Sequence, residues 1–211
     1  MNIGITTKGF YLLRDPITSQ LFDNLKDIAY KPIHDPGRLS DREKLNPIVL
    51  PFYLFVLLYQ RLPTPEEFFK QYQICYQRDA YKLGSVSDAS EEVIKARLYR
   101  AYPSLIRDIH FYYLCSSDSR FDEVKYSIEV DKQGVDLIVS RVGKRFAVRL
   151  HNNSEAASNW AKTKEVNGDF SAVIDIVLDT PNRIGCFNLY TEQSLDYLAA
   201  AMDVAIGEKV G

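Results

Sequence analysis

Residues 134–151, with the sequence GVDLIVSRVGKRFAVRLH, carry the pattern that decides the fold of this chain. Runs at 135–141 and 145–151 have the side chains of strands, and the short turn 142–144 between them contains a glycine. Residues 124–131 alternate apolar and polar side chains, which is typical of a half-buried strand. The segment therefore predicts three consecutive strands joined by tight turns.

Signals on either side of this segment extend it to an α/β domain. Residues 88–91 (DASE) form a capping box that starts a helix, and we expect Pro103 to break or kink it before a second helix at 104–114. The almost continuously apolar run at 172–178 predicts a buried strand. The remaining predicted elements are a helix at 155–165 capped by Asn153 or Ser154, a strand at 184–190, and a helix from 192 to about 203.

The first part of the chain has a mostly helical pattern. Asn46-Pro47 can start one helix, and the capping box at 64–67 (TPEE) starts the next, so the two helices predict an αα-hairpin. A short strand at 10–13 and a helix at 19–30 are also predicted. Residues 83–87 have linker composition, which predicts a mostly helical region at 1–84 and an α/β domain at 85–211.

Composition restricts the partners and the compartment. The 211 residues have a formal net charge of −2, which excludes a uniformly basic coat for nucleic acid but is compatible with a local basic face. Cys75, Cys115 and Cys186 lie far apart, which argues against a disulfide framework or a zinc site and favours a cytoplasmic protein. The apolar run at 48–59 is shorter than the roughly 20 residues of a spanning helix, so we expect no membrane segment.

The predicted order of elements resembles the core of the PD-(D/E)xK, or restriction-endonuclease-like, superfamily over residues 90–206. In that family a Gly-x-Asp begins the second strand, and here Gly134-Val135-Asp136 matches it. The family's third strand carries an acid and, two residues later, a lysine; these positions fall on Arg149 and His151. The resemblance implies an αβββαβ core preceded by an N-terminal helical region.

The resemblance also implies a metal site. In the family, carboxylates hold Mg²⁺ beside the scissile phosphate, because this ion prefers hard oxygen ligands. On this chain Asp136 and Glu91 would be the metal ligands, and Glu91 is preferred to Glu92 because it shares a helix stripe with apolar residues. His151 would act as a base or phosphate contact, and Arg149 would clamp the phosphate.

The third strand departs from the family pattern. A guanidinium has no lone pair for Mg²⁺, so Arg149 cannot replace the acid as a ligand. Either the ligand set has migrated, with Asp131 or Glu155 as candidates, or this copy of the fold has lost cleavage. A purely structural role for Asp136 is also open, because acids at such turns commonly accept hydrogen bonds from main-chain N–H groups.

Two hypotheses of function follow. The first is a DNA-acting protein that hydrolyses phosphodiesters with a metal at a rearranged site. The alternative is a catalytically inactive nuclease-fold module that binds DNA or a protein partner, with the aromatic N-terminal helices as a docking surface for that partner or for a second copy. DNA is the expected partner in the first hypothesis and one of the two partners in the alternative. A solvated sheet or helix face would carry cations similar to those of a DNA-binding face. The predicted phosphate contacts are Lys144, Arg145, Lys162 and Lys164.

Overall fold

The computed structural model describes residues 17–33, 48–76, 91–126, 130, 133–153 and 165–207. These residues form a mixed α/β structure with a four-stranded mixed sheet and a two-stranded sheet. The chain divides into two compact units, one made of 1–18, 107–183 and 188–211 and the other of 19–106 and 184–187. The predicted boundary near residue 84 lies outside the described residues, as do the predicted strand at 10–13 and all of the predicted helix at 155–165 except its last residue.

The larger sheet contains strands at the predicted places, but the first is much shorter than the predicted 124–131: it ends at Lys125, and Val130 is helical. Strand β1 (Glu123–Lys125) pairs antiparallel with β2 (Leu137–Arg141), and β2 pairs antiparallel with β3 (Lys144–Asn152). Strand β4 (Ala172–Leu178) lies parallel to β3, so the order is β1-β2-β3-β4. Parallel neighbours need a crossover connection, which here is the chain between 152 and 172.

Both faces of this sheet contribute to the core. Leu137, Val148 and Ile174 lie side by side on β2, β3 and β4, and all are buried. Side chains alternate between faces, so their neighbours in sequence point the other way. There Ile138 and Ala147 form a buried cluster with Val130 and Val135, and Val166 and Phe170 pack against it.

Helix α3 (Glu91–Ser117) continues through Pro103, so the predicted break is wrong. A proline has no N–H to donate to the carbonyl four residues earlier, which here belongs to Tyr99. The Tyr30 hydroxyl donates a 3.1 Å hydrogen bond to that carbonyl oxygen. A side chain distant in sequence thus replaces the missing helical bond.

The predicted strand at 184–190 is instead a hairpin. Strands β5 (Asn182–Ile184) and β6 (Phe187–Leu189) form the two-stranded sheet, and Gly185 between them has φ +59°. A glycine at such a φ favours a reversal of the chain over a continuous strand. Helix α4 (Glu192–Gly207) follows, and Asp203 on it pairs with Arg141 at 2.8 Å.

The second unit contains the predicted αα-hairpin of α1 (Val49–Tyr59) and α2 (Pro65–Tyr76). The capping box is confirmed, because Thr64 N–H donates to Glu67 Oε2 at 2.8 Å and Glu67 N–H donates to Thr64 Oγ1 at 3.3 Å. The predicted helix at 19–30 is instead two 3₁₀ turns, Ser19–Phe22 and Leu25–Asp27. Among the described residues, no helix is both long and apolar enough to cross a bilayer.

Candidate functional site

Asp136 lies at the start of β2 and is bound to β3 through both its main chain and its side chain. Its N–H donates to the Val148 carbonyl at 2.9 Å. Its carboxylate oxygen Oδ2 accepts the Leu150 N–H at 2.6 Å. The carboxylate therefore extends the hydrogen bonding to β3 just before the first residue of β2, which is the structural role that its position at a turn also allowed.

Arg149 forms an ion pair with Asp175 on the neighbouring strand. The two residues are register partners on β3 and β4, so their side chains share a face of the sheet. The guanidinium donates from Nε to Oδ1 at 2.8 Å and from Nη2 to Oδ2 at 2.7 Å. The Arg149 side chain is only 14% exposed and that of Asp175 is 40% exposed. This two-point geometry is the strong form of an Arg–carboxylate pair.

His151 lies two residues beyond Arg149 on the same face. Its Nε2 is 3.5 Å from Asp175 Oδ1, and its side chain is 12% exposed. Neither ring nitrogen makes a hydrogen bond within the described part of the chain. Arg149, His151 and Asp175 therefore form one partly buried cluster, which we name the β3–β4 polar cluster.

Tyr190 lies beside this cluster and was not predicted to belong to a site. Its hydroxyl is 3.4 Å from the carbonyl oxygens of His151 and Ile176, to which it can donate. Burial raises the pKa of the Tyr190 phenol, and the negative charges of Asp108 and Asp136 raise it further. Asp108 on α3 and Asp136, just before β2, therefore both act electrostatically on this hydroxyl.

Glu91 and Glu92 begin α3 and are exposed. They belong to the unit formed by 19–106 and 184–187, whereas Asp136, Arg149 and His151 belong to the other unit. No contact described within either unit links Glu91 to Asp136. The predicted metal site that these two carboxylates would form therefore stays a prediction.

The described residues do not fit a Mg²⁺ site. One oxygen of Asp136 already accepts a main-chain N–H, and the Arg149 side chain two strand positions before His151 is a guanidinium, which cannot bind a cation. In the described ranges no group of three or more His, Cys, Asp or Glu side chains is arranged to hold a metal ion. The carboxylate of Asp175, on the strand beside Arg149, is already paired with that guanidinium. We therefore derive no metal-dependent step from this geometry.

Lys144 and Arg145, predicted to contact phosphates, lie at the start of β3. The Arg145 guanidinium is 5.5 Å from the centre of the Phe170 ring, a cation–π contact. Within the described residues neither cation forms an ion pair with a carboxylate. The predicted contacts Lys162 and Lys164 lie outside the described residues.

Gly134, the glycine of the Gly-x-Asp match, has a packing role. Its φ is +83°, and a Cβ built on it would lie 2.2 Å from the carbonyl oxygen of Glu165. The N–H of Asn167 donates to the Gln133 carbonyl at 2.9 Å in the same place. Only glycine allows this turn and the chain at 165–167 to approach so closely.

Asp175 is the member of the cluster that the sequence did not indicate as a site residue. It stands in the predicted strand 172–178 as its only charged side chain, and that isolation was the available signal. Comparisons with protein-family models, with curated proteins and with solved structures found no match to this chain.

Proposed function

We propose that this chain is a DNA-binding protein of the restriction-endonuclease-like superfamily in which an ion pair replaces the cleavage site. The observation that carries the proposal is the bidentate Arg149–Asp175 pair, at the strand position where the family has its catalytic acid. In this proposal the chain has the fold of that family and binds DNA without hydrolysing it.

The arrangement of the sheet supports the fold assignment. An antiparallel meander of β1, β2 and β3 is followed by β4, parallel to β3, with α3 before and α4 after these strands. The one helix and four strands in this order support the αβββαβ core that the resemblance implies; the segment predicted to be its second helix lies almost entirely outside the described residues.

The chemistry of the β3–β4 polar cluster supports the loss of cleavage. Metal-dependent hydrolysis of a phosphodiester needs carboxylate oxygens directed at the ion. Arg149 brings a positive charge to the place of the ion, and Asp175 neutralises it. The Asp136 oxygen that accepts the Leu150 N–H is committed to the sheet.

The start of β3 supports nucleic acid as the partner. Lys144 and Arg145 have no carboxylate partner among the described residues, unlike Arg141, which is held by Asp203. Cations that are not neutralised within the protein are the ones that can replace counterions on DNA.

Fluorescence anisotropy with a labelled DNA duplex tests the binding. We expect an affinity that falls as salt is raised, and we expect Lys144→Gln/Arg145→Gln to reduce the slope of log K against log[salt] by about 2, since each phosphate contact contributes about 0.9. The matched control is Lys26→Gln/Lys70→Gln, which removes two exposed cations from the other unit. Absence of binding at about 50 mM salt, where phosphate contacts are strong, would contradict the proposal.

Incubation of plasmid DNA with Mg²⁺ or Mn²⁺ tests the loss of cleavage. We expect intact plasmid under all conditions in which the duplex is bound. Cleavage by the wild-type protein that disappears in a folded Asp136→Ala variant would instead support the metal-dependent hypothesis.

A further inference from the structure

The exposed turn between β2 and β3 contains a valine at a position where the backbone conformation disfavours valine. Arg141 and Lys144 are paired, so Val142 and Gly143 form a two-residue hairpin loop. Both have positive φ, +50° for Val142 and +67° for Gly143, as a type I′ turn requires. Asparagine, aspartate or glycine favours the first position, whereas a β-branched residue is strained there.

The stability of the fold does not explain why position 142 is a valine. The Val142 side chain is 71% exposed, so its apolar surface gains little from burial. The turn is held by other groups, because the Gly143 N–H donates to Asp122 Oδ2 at 3.1 Å. A strained residue that contributes little to the core is a reason to look for a contact outside the chain.

The charges around the turn indicate what it contacts. Arg141, Lys144 and Arg145 carry three positive charges, whereas Asp122 and Asp203 supply two negative ones. The net positive charge complements a phosphate backbone. A two-stranded ribbon also fits the major groove of B-DNA, about 12 Å wide, but not the minor groove, about 6 Å wide.

We infer that the β2–β3 turn enters the major groove of duplex DNA, with Val142 against the base edges and Lys144 and Arg145 at the flanking phosphates. The inference rests on the proposed function, since it names the surface by which that DNA binding occurs. Among base edges in the major groove, the thymine methyl group is the apolar partner that a valine side chain fits.

The test is a Val142→Asn variant, which suits the turn better but removes the apolar contact. We expect its thermal midpoint to rise and its affinity for a thymine-containing duplex to fall at least five-fold. Val204→Asn is the matched control, because Val204 is 59% exposed on α4, and it should leave affinity unchanged. A second duplex with uracil in place of thymine should weaken the wild type and leave the Val142→Asn variant indifferent.

The outcomes separate this inference from the proposed function. Wild-type binding with equal affinity for Val142→Asn would overturn the turn contact and leave DNA binding in place. Weaker binding by Val142→Asn with no effect of uracil would overturn the major-groove assignment. No binding by the wild-type protein would overturn both.

Discussion

Removal of the Asp175 charge is the sharpest test of the β3–β4 polar cluster. In Asp175→Asn the Arg149 guanidinium, only 14% exposed, loses the carboxylate charge of Asp175. Breaking a fully buried pair costs about 3–5 kcal/mol, whereas exposed pairs contribute about 0.2–1 kcal/mol. Because Asp175 is 40% exposed, we expect an intermediate loss of about 2 kcal/mol in the free energy of unfolding.

A double-mutant cycle isolates the pair from other effects of each substitution. Urea unfolding of wild type, Arg149→Met, Asp175→Asn and the double variant should give a coupling energy of about 1–2 kcal/mol. The same cycle on Arg141 and Asp203 is the control, since that bidentate pair has a 56% exposed carboxylate and should couple more weakly. His151 also lies near Asp175, so a repeat in a His151→Gln background removes its contribution.

The size of the coupling energy decides whether the Arg149–Asp175 ion pair stabilises the fold. A coupling energy below about 0.3 kcal/mol, near the lower limit for an exposed pair, would refute the inference that the guanidinium depends on Asp175. It would also remove the main support for the proposal that an ion pair replaces the cleavage site.

Three further substitutions or conditions test separate features. Tyr30→Phe should lower the free energy of unfolding by about 1–2 kcal/mol, because it leaves the carbonyl opposite Pro103 unpaired; urea unfolding checks this, with the exposed Tyr59→Phe as a neutral control. Burial lowers the pKa of His110 to about 4 in the folded protein, from the usual histidine value of 6.5. As the pH falls below 6.5, the unfolded state therefore binds a proton before the folded state does. Stability should therefore fall by up to about 3 kcal/mol between pH 6.5 and 4, and His110→Phe should have a flatter profile if the assignment is correct. Gly134→Ala should destabilise by about 2–4 kcal/mol in the same assay, since it adds left-handed strain and a clash with the main chain; a loss below about 0.5 kcal/mol would contradict the close approach.

Short-range patterns predicted the elements whose causes are local. The apolar run at 172–178 is a strand with those bounds, and Thr64 and Glu67 form the capping box that their spacing predicts. In both cases the residues that determine the structure are adjacent or within one helical turn. Alternation, capping and turn composition therefore sufficed for most of the larger sheet and for α2.

Long-range partners explain what the sequence did not predict. Pro103 is expected to interrupt α3, but the hydroxyl of Tyr30, which is distant in sequence, occupies the hydrogen-bonding position that proline leaves empty. The same limit applies to the site, because the parallel pairing of β3 with β4 sets the partner of Arg149. No local pattern specifies which residue of one strand faces a given residue of the other.

The sequence of the neighbouring strand nevertheless contains a sign that Arg149 has an acidic partner. A guanidinium that is mostly buried in a sheet needs a carboxylate within reach, since an unpaired buried charge is strongly destabilising. The neighbouring strand would gain most from a wholly apolar sequence, and Asp175 is the single residue at which it departs from one. Arg149 on β3 and the lone acid Asp175 on β4 are therefore best understood together, as the two members of one ion pair. A glutamine at 149 would remove the charge with which Asp175 pairs, so we expect Asp175→Val to be tolerated in an Arg149→Gln background and to destabilise the wild-type chain.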